Sequence, residues 1–219
     1  MVAFVLVPGA GGNSWYWSRL VPELSARGHA AVAVDLPASD DDAGLEAYAD
    51  AVVAAASGLD DIVLVGQSMG GLTVPLVCDR LPVRLLVLLN AMVPRPGETG
   101  GAWWSATGQD RLPAAEDPFL HDLPPDALAE ALALGEPVQS GRPFEDPWPL
   151  PAWPSVPIRF LQGRDDRLFP LPFQQQVVRD RLGIPVDEMP GGHLLALSRP
   201  VELAEMLVSY LEEPVRTAG

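Results

Sequence analysis

The junction that most restricts how this chain can fold is a five-residue turn, Gly66-Gln67-Ser68-Met69-Gly70, set between an apolar run and a helix-forming stretch. Residues 62–65 (IVLV) are apolar throughout and mostly β-branched, as a strand covered on both faces requires. A strand that passes into a helix within a few residues must turn sharply. Glycines two positions before and after Ser68 remove the side chains that such a turn would crowd.

The same alternation recurs along the chain. Residues 2–7, 31–35, 62–65, 84–89, 158–162 and 186–188 read as strands. Helical spacing covers 14–26 (bent by Pro22), 45–57, a stretch from the serine turn to about residue 79, then 126–134, 171–181 and 200–211. Strands and helices in alternation predict an α/β fold, a mostly parallel sheet with helices on both faces. Between Pro94 and Pro157 the rhythm breaks, with more than ten prolines and the tryptophans Trp103, Trp104, Trp148 and Trp153. That stretch is too long for an ordinary strand-to-helix connection. We read 94–156 as a cap inserted between the fourth and fifth strands of a core made of 1–93 and 157–219, with a frayed tail after Glu212.

Composition narrows the classes. Hydrophobic residues make up 48% and charged residues 20%, which excludes general disorder. The net charge of -15 repels phosphate backbones and anionic headgroups, so no nucleic acid or membrane partner is expected. The N-terminal stretch lacks a basic leader, no 18-residue apolar run occurs, and the single Cys78 cannot form an internal disulfide. A soluble, cytoplasmic protein is expected, as monomer or homodimer.

Ser68 sits where a nucleophile is presented from a strand-to-helix turn. A serine hydroxyl needs a base, and the chain has three histidines. His29 follows a glycine in a surface-type turn and His121 lies in the proposed cap. His193, after Gly191-Gly192 and before the last helix, has the position of a loop-borne base. Asp166, just past the strand at 158–162, is the candidate to orient it, with Asp165 a turn-forming or solvated acid. The backbone N–H of Met69 and that of Ala10, or its neighbour Gly11, are candidate oxyanion donors. The loop Pro8-Gly9-Ala10-Gly11-Gly12 also partly matches a dinucleotide fingerprint, but Ser14 stands where the third glycine belongs and bulky Trp15 follows. No metal-ligand spacing occurs, and no cofactor is expected.

Four blocks, FVLVPGAGGNSWYW, VGQSMGG, LQGRDDRLFPLPFQ and MPGGHLLALSRPVELAEML, give the chain a resemblance to the α/β-hydrolase superfamily. It is most similar to the compact branch of plant hydroxynitrile lyases, methylesterases and their bacterial esterase relatives. The resemblance covers nearly the whole chain and implies an α/β-hydrolase fold without the two leading antiparallel strands. It implies a Ser68, Asp166, His193 triad and an oxyanion hole from Ala10 and Met69. Cyanohydrin cleavage in that branch is associated with a threonine before the oxyanion residue and a lysine after the histidine; here Gly9 and Leu194 stand there. The expected function is that of a serine esterase acting on a small, largely apolar carboxylic ester. Gly11, Trp15, Trp103, Trp104, Phe119 and Leu194 are candidates to line its pocket. A thioesterase or lactonase with the same triad remains open, as does a ligand-binding protein or non-hydrolytic lyase or cyclase on the same fold.

Overall fold

Apolar runs without alternation, such as 3–7 and 62–65, form strands when both of their faces are covered, and with four further segments, the acidic edge strand Val186–Met189 among them, they assemble into one sheet. The computed structural model describes residues 2–212; the expected frayed tail lies outside the described residues. In chain order the elements are β1 (Ala3–Val7), a 3-10 turn (Ser14–Trp17), α1 (Leu20–Ala26), β2 (Ala30–Ala33), α2 (Leu45–Ala55), β3 (Ile62–Gln67), α3 (Gly70–Thr73) and a 3-10 turn (Val74–Val77). There follow β4 (Val83–Leu89), α4 (Gly100–Thr107), a 3-10 turn (Gln109–Arg111), α5 (Pro125–Leu134), α6 (Arg142–Glu145), β5 (Ile158–Gly163), α7 (Leu171–Leu182), β6 (Val186–Met189), α8 (Leu195–Ser198) and α9 (Pro200–Ser209).

The strands pair in the order β2-β1-β3-β4-β5-β6, and every pairing is parallel. Alternate side chains feed two cores. Val5, Val7, Ile62, Leu64, Leu86, Leu88 and Phe160 pack with Tyr48 and Val52 of α2 and Val177 and Val178 of α7. Phe4, Leu6, Val63, Val65, Val87, Leu89 and Leu161 pack with Leu20 and Leu24 of α1 and Leu203 and Leu207 of α9. Each such fully buried Val, Leu or Phe contributes roughly 1.5–3 kcal/mol through its removal from water. The chain runs from β1 outward to β2 and returns to β3 on the other side. The carboxyl ends of β1 and β3 therefore flank a crevice, the place where open parallel sheets admit ligands.

Local chemistry adjusts several expected helices. The stretch 14–26 is not one bent helix: a 3-10 turn ends at Trp17 and α1 begins at Leu20. Pro22 lies in the first turn of α1, where a missing N–H removes no helical bond. After Ser68, α3 ends at Thr73 and passes into the 3-10 turn containing Pro75, which can donate no bond and crowds the carbonyl four residues earlier. Two helices in 94–156 were not foreseen. Of these, α4 starts on Thr99, whose hydroxyl accepts the Ala102 N–H at 3.0 Å, and ends on Gly108 in the left-handed region.

Residues 94–156 lie between β4 and β5 and contribute to both cores. Trp103 and Trp148 are fully buried on the α2 side, their indole N–H groups donating to Val93 O (3.1 Å) and Leu72 O (3.0 Å). Leu123 and Ala127 pack on the α1 side. Arg181 of α7 ties down the start of the segment: Nη2 donates to Glu98 Oε1 at 3.0 Å and Nη1 to Val93 O at 2.7 Å.

Candidate active site

The serine turn holds its residue in a conformation that only its surroundings can maintain. Ser68 has φ +52°, a left-handed value that L side chains rarely adopt. Its N–H donates to Leu89 O at 3.1 Å, and its carbonyl accepts the N–H groups of Gly71 (3.1 Å) and Met92 (2.9 Å). The flanking glycines are required sterically. A Cβ on Gly66 would lie 2.6 Å from Val74 Cγ2, and one on Gly70 would lie 2.9 Å from Pro8 O. Strain held in this way at the carboxyl end of a strand is characteristic of functional turns.

The glycine loop after β1 lies directly against this turn. A Cβ on Gly9 would sit 2.8 Å from Ser68 Cβ and 2.6 Å from Gln67 Oε1. The Gly9 N–H donates to Gln67 Oε1 (3.1 Å), Gly12 N–H to Gly9 O (3.1 Å) and Gly11 N–H to Gln139 Oε1 (2.9 Å). Among the described residues the Ala10 N–H is the amide of this run left without such a bond. Met69 stands immediately before α3, where an N–H has no carbonyl one turn earlier to bond. Asp35, the acid that lent this loop its partial dinucleotide pattern, instead accepts the Ser14 N–H at 2.7 Å.

His193 and Asp166 are brought together from loops 27 positions apart. Nδ1 of His193 lies 2.8 Å from Asp166 Oδ2, with the two side chains 1% and 0% exposed. Asp166 Oδ2 also accepts from Gln162 Nε2 (3.1 Å), and Oδ1 accepts the N–H groups of Leu168 (2.9 Å) and Phe169 (3.0 Å). A carboxylate that accepts from so many donors acts as acceptor toward the imidazole too. We therefore assign the proton to Nδ1, leaving Nε2 as the basic nitrogen. Nε2 is buried and makes no hydrogen bond among the described residues, Ser68 Oγ included. The rings of Phe169 and Phe119 meet the imidazole edge-on, with centroids 5.4 and 5.5 Å away.

The histidine loop is anchored from three sides, mostly by residues that sequence reasoning passed over. Asn90, fully buried with φ +45°, donates from Nδ2 to Gly192 O and His193 O (both 3.0 Å) and accepts the Gly163 N–H at 2.7 Å. Asp165 is exposed but exchanges bonds with Gly191 through its N–H (2.9 Å) and Oδ2 (3.0 Å). Asp122 Oδ2, from the 94–156 segment, accepts the Gly192 N–H at 2.6 Å. A polar residue ending the apolar strand VLLN was the available signal for Asn90; nothing local marks Asp122.

The other candidates scatter. His29 lies at the opposite end of the sheet, beside Phe4. His121 comes nearer than its place in sequence implied: a Cβ on Gly192 would lie 2.7 Å from its Nε2. Phe119 touches His193. Trp104 and Trp103 pack on Phe169, which lies between them and the imidazole, with ring centroids 5.7 and 5.2 Å from that of Phe169. Trp103 is fully buried, so it belongs to the packing beneath the site and not to an accessible wall. Trp15 and Leu194 are half-buried against the α1-side core. Gly11 borders an open cavity of about 290 Å³ with Leu36, Ser39, Pro137 and Val138. No group of three or more His, Cys, Asp or Glu residues is placed to hold a metal, and no helix is long and apolar enough to cross a membrane, among the described residues.

Comparison with known proteins agrees with this architecture. The chain is 31% identical to the probable esterase PIR7A of Oryza sativa over 254 aligned residues, covering 94% of this chain and 95% of that protein. A solved extracellular alpha/beta-hydrolase from a Paenibacillus species superposes with TM-score 0.79 at 20% identity, over 95% of this chain and 98% of the other. The methylesterase MES16 of Arabidopsis gives TM-score 0.76 at 24% identity, over 97% and 99%. At these identities the two structures speak for the fold alone. The family profile, by contrast, matches the sequence itself from residue 4 to residue 206, and on that span the chain belongs to the alpha/beta hydrolase family.

Proposed function

We propose that this protein hydrolyses a small, largely apolar carboxylic ester, with Ser68 as nucleophile, His193 as general base and acid, and Asp166 as the group that orients His193. One observation carries the reading. A serine on a strained turn follows the carboxyl end of one strand, and at the same end of the sheet lies a buried imidazole whose Nδ1 is held by a carboxylate and whose Nε2 has no hydrogen-bond partner among the described residues. The esterases and methylesterases among its relatives support the reaction class.

In this mechanism His193 Nε2 takes the Ser68 proton as Oγ attacks the ester carbonyl. The N–H groups of Met69 and Ala10 receive the tetrahedral oxyanion. Asp166 stabilises the imidazolium, which then protonates the departing alcohol and leaves an acyl-enzyme. His193 next deprotonates a water, whose attack releases the acid and frees Ser68. The 94–156 segment acts as the cap, bringing Phe119 and Asp122 to the histidine loop. Phenyl rings beside His193 favour an apolar ester. The carboxylates Asp122, Asp165 and Asp166 around that loop disfavour an anionic one.

The test is hydrolysis of a chain-length series of p-nitrophenyl esters by the wild type and Ser68→Ala, together with labelling by a fluorophosphonate. Turnover and labelling by the wild type, both lost on substitution with kcat/KM falling at least about a hundredfold, are expected. Equal activity in both proteins, or inertness of both toward ester and fluorophosphonate, would overturn the assignment. Thioesters and lactones run in parallel then rank the acyl donors.

A further inference from the structure

The loop carrying the Ala10 amide is gripped from two sides, and one grip comes from far away in sequence. On the core side, the peptide plane that carries the Gly9 N–H is pinned to Gln67 Oε1. On the outer side, the plane that carries the Gly11 N–H is pinned to Oε1 of Gln139, 128 residues away, at 2.9 Å. The plane between them carries the Ala10 N–H. Because each peptide unit is rigid, fixing both neighbours leaves little freedom for this middle one.

Gln139 is itself held. Its Nε2 donates to Tyr48 Oη at 3.0 Å and to Ser140 O at 2.9 Å. Tyr48 is fully buried in α2, where burial pushes its phenol above the ordinary range and keeps it neutral. The carboxamide orientation follows from these partners, since a flipped group would set a donor against the Gly11 N–H and an acceptor against Ser140 O. The chain around it changes abruptly. Residues 132–138 are exposed, Gln139 is half-buried and Ser140 is buried, its N–H donating to Ala38 O at 2.7 Å. Pro137 covers Gly11 so closely that a Cβ there would fall 2.5 Å from Pro137 Cβ. The stretch 137–140 is thus a strap, fastened to α2 and to the loop after β2, that presses on the glycine loop.

We infer that Gln139 is a positioning residue of the oxyanion hole: by accepting the Gly11 N–H while anchored on Tyr48, it sets the direction of the Ala10 N–H. The inference rests on the proposed role of Ala10 as oxyanion donor. It couples the 94–156 segment to the chemical step through one hydrogen bond, without Gln139 touching the substrate.

Gln139→Met keeps the length and packing of the side chain but loses its amide. Tyr48→Phe leaves the Gln139–Gly11 bond and removes one of the two anchors of Gln139, keeping that on Ser140 O. Both variants, their double and the wild type are assayed for kcat and KM on a p-nitrophenyl ester. Inhibition is measured with an aryl trifluoromethyl ketone, which forms an oxyanion on the serine, and with the matching methyl ketone, which binds unreacted. A misdirected donor costs transition-state binding alone, so Gln139→Met is expected to lower kcat and trifluoromethyl ketone affinity by the same factor, about tenfold. KM and methyl ketone affinity should stay within about twofold. Tyr48→Phe should lose about threefold in the same sense, and the double variant no more than Gln139→Met, because both act through one bond.

Unchanged kcat in Gln139→Met, a loss confined to KM and methyl ketone binding, or additive losses in the double variant would overturn the inference. If Gln139→Met fails to fold, the kcat and trifluoromethyl ketone values of Tyr48→Phe decide. An activity that survives Ser68→Ala removes the underlying reading, whereas a serine-dependent activity indifferent to Gln139→Met removes only the inference.

Discussion

Asn90 is the residue whose replacement tests the site architecture most directly. Its side chain satisfies three buried backbone groups: the Gly163 N–H at 2.7 Å and the carbonyls of Gly192 and His193 at 3.0 Å. Asn90→Gly strips all three while relaxing the left-handed backbone, whose φ is +45°. An orphaned buried group costs about 1–3 kcal/mol. The His193 carbonyl keeps a weaker bond from Gln67 Nε2 at 3.4 Å, so its share is the smallest. The expected loss is about 3–5 kcal/mol, a large part of the roughly 5–15 kcal/mol that holds a typical domain together. Asn90→Ala should lose about 1 kcal/mol more, because alanine pays the left-handed penalty that glycine escapes. Equilibrium unfolding in urea measures both, and thermal unfolding should show a drop of roughly 10 °C for Asn90→Gly. A glycine variant within about 1 kcal/mol of wild type would refute the claim that Asn90 holds the histidine loop to the ends of β4 and β5.

Two further outcomes follow from packing and burial. Gly71→Ala would bring a Cβ to 2.0 Å from Met92 O, so it should cost at least about 3 kcal/mol by thermal unfolding, whereas Gly58→Ala, with open space around it, should cost about 1 kcal/mol for its positive φ. Burial pushes the Cys78 thiol up to about 12, with Asp79 adding to the rise, so the native protein at pH 8 should resist a disulfide reagent that titrates the denatured chain at once. Since the folded chain binds that proton more tightly, its contribution to stability is whole below the ordinary thiol range and is lost as pH rises toward about 12, which urea midpoints across alkaline pH would register.

The central strands were legible in sequence because a strand of a parallel sheet covered on both faces reads as an apolar run, as at 3–7 and 62–65, whereas β6 (VDEM) carries two acids at the edge of the sheet; each of the six expected segments became a strand. The serine turn was legible for a similar local reason, since its glycines are demanded by atoms within a few residues or on the adjoining strand. Breaks at Pro75 and before α1 were half-legible: proline marks where a helical bond is missing, but not whether the chain answers by bending or by passing into a 3-10 turn. What the sequence by itself determined is therefore the layering of the fold and the presence of a serine, an acid and a histidine in loops that follow strands. The tertiary structure decided which groups meet. The order β2-β1-β3-β4-β5-β6 sets the ends of β4 and β5 side by side, and only then do Asn90, Gly163 and the 191–193 loop bond. Asp122 and Gln139 belong to a segment without clear periodicity, and they reach Gly192 and Gly11 across 70 and 128 residues. Periodicity records which face of an element is dry. Hydrogen bonds between distant loops depend on where whole elements come to rest, and no local pattern carries that position.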